Sequence, residues 1–319
     1  KGVYAIAIIL EDYPDKLVVV RFKSPMAIGF GADETFVASD ALAFVGHTDK
    51  ALFMPNRSFA VIGNDSIELF DFDGNVLPVI PQSIDIKFSA ATKQGFEHYM
   101  LKEIYEQKKV VDRTVSFCRM IGNGSSDLEQ ASYDDFIWRQ LGLTSSSIKK
   151  LTSVHLVAAG TSWHAGKIAQ FYFEEICGIP AHVHLASEFS YKTFFPPQSG
   201  IFIFVSQSGE TADTLEAMRR VNAHGIPTIA LTNVASSTIV REAGGFLLMQ
   251  AGPEISVAST KAFTAQVASL YWLANRVAME KGLIDFASMR KSEEDLMVAA
   301  EVLESSIEEN KFAITSGLA

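Results

Sequence analysis

The sequence predicts an α/β protein, in which a strand-rich N-terminal part precedes a doubly wound, flavodoxin-like parallel sheet with helices on both faces. Two observations indicate the parallel sheet. From about Val154, apolar strand-like runs alternate with helical stretches. The helices predicted to end at Cys177 and His224 are each followed by Gly-Ile-Pro, where glycine takes the left-handed turn and proline cannot continue the helix. Two βαβ units of similar size are therefore expected.

The N-terminal part has short β-type runs separated by turn signals and no helical pattern longer than two turns. A turn is expected at Asp12–Asp15, and residues 78–89 are typical of a linker. The predicted strands are Val3–Leu10, Leu17–Phe22, Thr35–Ala38, Phe59–Ile62 and Ser66–Phe72. A sheet with so little to cover it is expected to be part of a larger domain.

An amphipathic helix follows, with Phe96, Tyr99, Met100, Ile104 and Tyr105 on one face. In the α/β part, the predicted strands are Val154–Ala158, Ala181–Leu185, Ile201–Val205, Pro227–Leu231 and Phe246–Met249. The predicted helices are Trp163–Cys177, Thr211–His224, Ser259–Arg276 and Ser288 to about Ile307.

Composition excludes several classes of function. The 319 residues carry a net charge of −10, and no run of Lys and Arg exceeds two residues, so nucleic acid is not an expected partner. No apolar run approaches the ~20 residues that span a bilayer, so no membrane partner is expected. Cys118 and Cys177 form no CxxC motif and are expected to be buried thiols in a reducing, cytoplasmic environment.

Three polar loops precede helices of the predicted α/β part: residues 159–162, 206–211 and 254–261. The first two follow parallel strands at the carboxyl edge of the sheet, where ligands bind in open α/β folds. A helix N-terminus offers free N–H donors and a partial positive charge. Ser206, Ser208 and Thr211 add hydroxyl donors, and Gly209 permits close approach of the backbone. The pattern predicts anion binding without Lys or Arg.

Other interpretations of these residues remain open. The hydroxyls of the 206–211 loop are also what helix N-caps require. Glu210 would repel a phosphate and is expected to point away, and Lys261 is equally suited to contact a bound anion or a carboxylate. His164 could reach the 206–211 loop, but it is expected to pack on its helix instead.

The sequence gives less support to more specific sites, namely a serine nucleophile, a nucleotide site or a metal site. Ser162 lacks the second glycine of a nucleophile elbow, and neither a dinucleotide nor a P-loop glycine motif is present. His182 and His184 share one face of a strand but have no third ligand in sequence, so core or sheet-edge positions are favoured over a metal site. No metal and no cofactor is expected.

Four motifs carry a resemblance to a known family: Ala-Gly-Thr-Ser at 159–162, Ala-Ser-Glu-Phe at 186–189, Ser-Gln-Ser-Gly-Glu-Thr at 206–211 and Val-Ala-Ser-Thr-Lys-Ala-Phe at 257–263. They resemble the first sugar isomerase (SIS) domain of the glucosamine-6-phosphate synthase family, the glutamine:fructose-6-phosphate aminotransferases. Residues 99–107 resemble the segment that joins glutaminase to isomerase in this family. Ser24-Pro25 and Ala38-Ser39-Asp40 resemble its N-terminal-nucleophile glutaminase domain.

The resemblance implies a sugar-phosphate site. Its substrate-binding residues would be Thr161, Ser162, Ser206, Gln207, Ser208, Thr211, Val257 and Ser259. Ala159 stands where the family commonly has cysteine and Ser256 where it commonly has glycine. Neither departure is expected to remove a contact.

The resemblance also implies a domain order. Residues 1–88 would be the C-terminal part of a glutaminase domain, 89–112 a linker helix, 113–284 the first SIS domain and 285–319 the start of a second. The family's nucleophilic cysteine and its isomerase acid/base groups have no counterpart in this sequence. No catalytic residue is therefore assigned, and the 319 residues alone are expected to lack glutaminase and synthase activity.

The implied reaction hydrolyses glutamine and transfers its ammonia to fructose 6-phosphate, forming glucosamine 6-phosphate and glutamate at the first step of amino-sugar (hexosamine) biosynthesis. The implied partners are these sugar phosphates, glutamine in the full-length protein and a second copy of the chain in a homodimer. One alternative is a non-catalytic SIS regulator that senses a sugar phosphate. A nucleotide-dependent oxidoreductase of similar architecture would need the glycine motif that is missing.

Overall fold

The computed structural model describes residues 4–44, 46–64, 66–84, 93–123 and 136–317. The chain divides into two compact units, Lys1–Thr92 and Lys93–Ala319. The predicted start of the first strand at Val3 and the last residues of the predicted linker, 85–89, lie outside the described residues.

The first unit contains two antiparallel sheets. One has the order β1-β2-β6-β7-β8, formed by Tyr4–Leu10, Tyr13–Phe22, Ser58–Ile62, Ile67–Asp71 and Val76–Leu77. The other has the order β4-β3-β5-β9, formed by Thr35–Ala38, Ala27–Phe30, Lys50–Phe53 and Gln82–Ser83. Val19, Ala60 and Leu69 of one sheet share a core with Ile28 and Leu52 of the other. These sheets fit the partial glutaminase domain that the resemblance implies.

The five strands predicted for this unit are confirmed within a few residues, whereas four others were missed. The missed strands are short, from two to four residues, and are therefore too brief to show a period. The predicted turn at residues 12–15 was too long, because β2 begins at Tyr13. Pro14 lies at a register shift between the pairs Leu10–Tyr13 and Ile9–Leu17, where a missing N–H is tolerated.

The second unit is built around a five-stranded sheet of order β11-β10-β12-β13-β14, in which every pair is parallel. Its strands are β10 Ser153–Ala158, β11 Ala181–Leu185, β12 Gly200–Ser206, β13 Thr228–Thr232 and β14 Gly245–Leu248. This is the flavodoxin-like order predicted from the sequence, and it places a switch point between β10 and β12.

Helices cover both faces of this sheet. The helices of the unit include α1 Tyr99–Tyr105, α2 Gln107–Asn123, α3 Ser145–Lys149, α4 Gly160–Cys177, α5 Ala186–Phe189, α6 Ala212–Asn222, α7 Thr238–Glu242, α8 Lys261–Glu280, α9 Phe286–Glu309 and α10 Lys311–Gly317. In the central strand β12, Phe202 and Phe204 pack with Leu215 and Met218 of α6. The alternate residue Ile203 faces the opposite core. This period-two division explains why every residue of β12 is buried.

The opposite core joins the sheet to α2, α4 and α8. It contains Phe173 of α4, Trp272 of α8 and Cys118 of α2. Helix α9 packs against α2 and α8 through a small cluster that includes Ala300. Segments predicted as a linker and as the start of another domain thus pack into the same unit as the parallel sheet, and the predicted domain boundaries stay predictions.

Both cysteines are free, buried thiols, as predicted. Burial raises the pKa of Cys177 to about 12, and its thiol donates to the carbonyl of Ala274. Among the described residues, no helix is both long and apolar enough to cross a membrane.

Candidate functional site

The candidate site lies at the switch point of the parallel sheet. Ala158 of β10 pairs with Val205 of β12, so the two chains leave neighbouring strands at the same level. The 159–162 loop leads into α4, and the 206–211 loop leads into α6. The two loops predicted to face one sheet edge are therefore adjacent.

The 206–211 loop is shaped by its own hydroxyls. Ser206 Oγ lies 2.8 Å from Thr211 Oγ1 and accepts the N–H of Gly209 at 3.0 Å. Ser208 Oγ accepts the N–H of Glu210 at 3.2 Å. Gly209 has a φ of +68°, and a Cβ at this position would lie 2.3 Å from Ser237 Oγ. The turn therefore requires glycine for both conformation and space.

Neither helix at the switch point is capped by a side chain at its N-cap residue. Thr211 is the N-cap of α6, but its hydroxyl makes no capping hydrogen bond and lies against Ser206 instead. Ala159 is the N-cap of α4 and makes none either. The interpretation of Thr211 as an ordinary capping hydroxyl is wrong, because the bond goes to the loop. The first-turn N–H groups thus receive no acceptor from these N-cap side chains.

The Glu210 side chain points to a third helix. Its Oε1 accepts the N–H of Thr238 at 2.6 Å, at the first residue of α7. A carboxylate is favourable at a helix N-terminus. The expectation that Glu210 points away from the predicted phosphate-binding loop is confirmed.

The 254–261 loop differs, because its helix already holds a carboxylate. Glu254 Oε1 accepts the N–H groups of Thr260 at 2.9 Å and Ala262 at 3.1 Å, at the start of α8. Ser259 Oγ donates to Glu254 Oε2 at 2.8 Å. Val257 at the loop tip is fully exposed, with a relative accessibility of 107%. The loop therefore presents an exposed apolar side chain next to a helix N-terminus that already binds a carboxylate.

Two further acidic residues hold this loop from α1 and its C-cap. Glu103 Oε1 accepts the N–H of Ile255 at 2.6 Å and that of Ser256 at 3.3 Å. Burial raises the pKa of Glu103, although these bonds and Lys261 act in the other direction. Lys261 is buried, and its Nζ lies 2.6 Å from Glu106 Oε2. Of the two contacts predicted for Lys261, the structure shows the carboxylate.

The 159–162 loop contributes residues of different accessibility. Thr161 is exposed, whereas Ser162 is buried and its Oγ accepts Nε2 of Gln266 at 3.0 Å. His164 is exposed, and its ring lies edge-on to Trp163 with 5.0 Å between the centroids. His164 therefore contacts its neighbour on the helix.

Asn233, which sequence reasoning missed, links the 206–211 loop to the chain after β14. Its N–H donates to the carbonyl of Gln207 at 3.1 Å, its Nδ2 donates to Gly252, and its Oδ1 accepts the N–H of Ala251. The only signal in sequence is an Asn directly after a strand, which is also typical of an ordinary turn. Glu103 and Gln266 had no local signal, since their partners are 152 and 104 residues away.

His182 and His184 lie on the edge strand β11, and His155 of β10 joins them. His155 Nδ1 lies 3.2 Å from His184 Nε2, and the ring of His155 stacks on Phe202. Burial, with the neighbouring histidines, lowers the pKa of His155 to about 3; burial likewise lowers that of His184 to about 4. Within the described ranges, no group of three or more His, Cys, Asp or Glu residues is arranged to hold a metal.

Comparison with known proteins identifies the domain that carries these loops. Residues 147–276 match the family model of the SIS domain. This chain contains an SIS domain. The match includes the 159–162, 206–211 and 254–261 loops.

The chain is also similar to glutamine–fructose-6-phosphate aminotransferases (isomerising). It is 42% identical to the one from Methanosarcina mazei over 282 residues, which are 88% of this chain and 44% of that protein. It is 36% identical to the one from Clostridium tetani over 308 residues, or 97% of this chain and 49% of that protein. The chain thus spans about half the length of the curated relatives that it matches. The resemblance predicted from the motifs is confirmed.

A solved structure extends the similarity to three dimensions. The C-terminal domain of glucosamine-fructose-6-phosphate aminotransferase from Francisella tularensis aligns with a TM-score of 0.57 and 34% identity, covering 66% of this chain and 56% of that one. The parallel sheet with its flanking helices is therefore shared with a relative of the predicted family.

Proposed function

We propose that this chain binds the sugar phosphate in a glutamine:fructose-6-phosphate aminotransferase, the enzyme that forms glucosamine 6-phosphate and glutamate. The observation that carries the proposal is the pair of helix N-termini at the switch point, which lack side-chain caps and adjoin the hydroxyls of the 206–211 loop. A phosphate dianion supplies the acceptors that these donors lack.

The proposed contacts fall into two groups. Ser206, Gln207, Ser208 and Thr211 hold the phosphate, with Thr161 and Ser162 on the adjacent loop. Val257 and Ser259 contact the sugar from the 254–261 loop; the bond from Ser259 to Glu254 orients that hydroxyl. Hydrogen bonds to a charged group contribute roughly 1.5–3 kcal/mol each, so three or four of them hold a phosphate without any cation.

The remaining parts of the proposal rest on similarity to the whole relatives. They are glutamine as nitrogen donor, a cytoplasmic homodimer and a place at the first step of amino-sugar biosynthesis. The similarity covers 97% of the chain and so includes the antiparallel unit, a feature that a free-standing SIS regulator would not need. The aminotransferase is therefore preferred over the non-catalytic alternative.

The test is a calorimetric titration of the 319-residue chain with fructose 6-phosphate, with fructose and NAD as comparison ligands. Binding should require the phosphate. Replacing Ser208→Ala together with Thr211→Ala should weaken binding by roughly tenfold or more, because each lost bond to a charged group is worth about 1.5 kcal/mol or more.

The matched control is the double replacement of Thr144→Ala and Ser147→Ala at the start of α3, which removes the two hydroxyls of a capping box outside these loops. This control should lower stability and leave sugar-phosphate affinity unchanged. Unchanged affinity in the Ser208/Thr211 variant would contradict the proposed phosphate contacts.

A further inference from the structure

Gln266 is buried beside the candidate site and contacts one of its residues. It lies in the second turn of α8, only 1% exposed, and its Nε2 donates to Ser162 Oγ at 3.0 Å. Ser162 lies in the first turn of α4, which packs along α8. The two residues are 104 positions apart, so the contact exists only in the folded chain.

The chemistry of this contact assigns a direction to the Ser162 hydroxyl. An amide nitrogen donates and cannot accept, so Ser162 Oγ is the acceptor in this bond. The Ser162 proton is then free to donate to another group. Without such a partner, a serine near the start of a helix is free to turn its proton towards a backbone carbonyl.

The other end of the Gln266 side chain indicates that packing is not its role. Its Oε1 is buried and has no hydrogen-bond partner among the described residues. An unpartnered buried carbonyl oxygen destabilises a fold, and an apolar side chain of the same length would avoid that cost. The amide is therefore explained by its nitrogen, which reaches Ser162.

We propose that Gln266 is a positioning residue that holds the Ser162 hydroxyl as a hydrogen-bond donor towards the sugar phosphate at the 206–211 loop. The inference rests on the proposed function, because it requires that a sugar phosphate binds beside Ser162. Gln266 itself does not touch the ligand. Its effect on affinity passes through one atom, Ser162 Oγ.

The test is a double-mutant cycle that compares the dissociation constant for fructose 6-phosphate in four proteins: the unaltered chain, Gln266→Met, Ser162→Ala and the double variant. Ser162→Ala should weaken binding by about tenfold and Gln266→Met by about fivefold, and the double variant should be no weaker than Ser162→Ala alone. Independent, multiplying losses would overturn the inference. Met has nearly the volume of Gln and removes the unpartnered oxygen, so the Tm of Gln266→Met should not fall.

A second variant, Gln266→Glu, keeps the test decisive if Met disturbs the packing. An ionised carboxylate only accepts, so it would draw the Ser162 proton away from the ligand. Binding should therefore weaken more than in Gln266→Met, and the loss relative to the unaltered chain should shrink as acid protonates the introduced carboxyl. When Gln266→Glu is combined with Ser162→Ala, the pH-dependent part of the loss in affinity should be smaller. Only the effect of the introduced negative charge should remain. A pH-independent loss would contradict the proposed donor role.

The same titrations distinguish failure of the proposed function from failure of the positioning role of Gln266. If the unaltered chain does not bind fructose 6-phosphate, the proposed function is wrong and this inference falls with it. If the unaltered chain binds and Gln266→Met binds equally well, only the positioning role is wrong.

Discussion

The 206–211 loop and the 254–261 loop both precede a helix at the carboxyl edge of the parallel sheet, but different groups hold them. The first is closed by its own hydroxyls, with Ser206 as the central acceptor. The second is held by Glu254 within the loop and by Glu103 and Glu106 from the region of α1. The first loop is closed by bonds within itself, with Asn233 as a further partner, whereas the second also depends on residues about half the chain away.

This difference separates two ways of building a site. Two N–H groups at the start of helix α8 donate to Glu254, so that terminus is a structural element beside Val257 and Ser259. Helix α6 lacks a capping side chain at Thr211, which leaves its terminus suited to a ligand anion. A helix N-terminus therefore indicates anion binding only when no side chain already fills it.

The largest expected effect is on the long-range side of the comparison. Replacing Lys261→Met removes the 2.6 Å partner of Glu106, which keeps Lys102 at 3.6 Å, so the free energy of unfolding should fall by about 3 kcal/mol, at the lower end for a broken buried pair. Urea denaturation measures this loss. Hydrogen exchange at the amides of Ile255 and Ser256 should become faster, while that of Gly209 should change less because its acceptor, Ser206, is local.

The matched control is Lys291→Met, which removes an exposed pair with Asp295 on α9. This change should have no measurable effect on unfolding, because exposed pairs are screened by solvent. Equal effects of the two lysine variants would mean that the 254–261 loop does not depend on its buried charges.

The next effect tests the local side of the comparison with two glycines of nearly equal φ. Gly209→Ala should lower the free energy of unfolding by about 2–3 kcal/mol and weaken sugar-phosphate binding at least tenfold, because left-handed strain adds to a contact with Ser237. Gly225→Ala has the same strain at φ +67° but nothing within 4 Å of its Cβ. It should cost only about 1 kcal/mol and leave binding unchanged. Chemical denaturation and calorimetry measure both quantities, and similar losses in the two variants would show that close approach plays no part.

The smallest effect at neutral pH comes from the buried histidines, because it develops only as the pH falls. The pKa values of His155 and His184 fall to about 3 and about 4 from an ordinary 6.5. Between pH 6.5 and those values the unfolded chain binds protons that the folded chain excludes, so stability falls as the pH falls. Stability from this source is complete above pH 6.5.

The variant His155→Phe should flatten the dependence of Tm on pH between 6.5 and 4, since phenylalanine stacks on Phe202 without titrating. The control His98→Gln changes a histidine whose side chain is 48% exposed and should leave the slope unaltered. If the slope of Tm against pH is unchanged in His155→Phe, other groups cause the acid sensitivity. The acidic residues around the 254–261 loop would then be the next to test.

Much of the parallel-sheet unit was predictable because its signals are local. The strand–helix alternation and the two Gly-Ile-Pro stops marked the βαβ units, and Gly178 indeed has a φ of 61° at the end of α4. The antiparallel unit was predicted less completely, since strands such as Ala27–Phe30 and Lys50–Phe53 are too short to show alternation. Pairing with adjacent strands determines these short strands more than the propensities of their own residues do.

By itself, the sequence determined the fold class, the family resemblance and the hydroxyl-rich loop, because each is written in residues that lie close together along the chain. The tertiary structure decided which polar groups are already satisfied. It paired Lys261 with Glu106, the N–H of Ile255 with Glu103 and the Ser162 hydroxyl with Gln266. The physical reason is that a hydrogen bond needs its two atoms within about 3 Å, a condition that local spacing reveals within a loop and that only folding reveals across 100 residues.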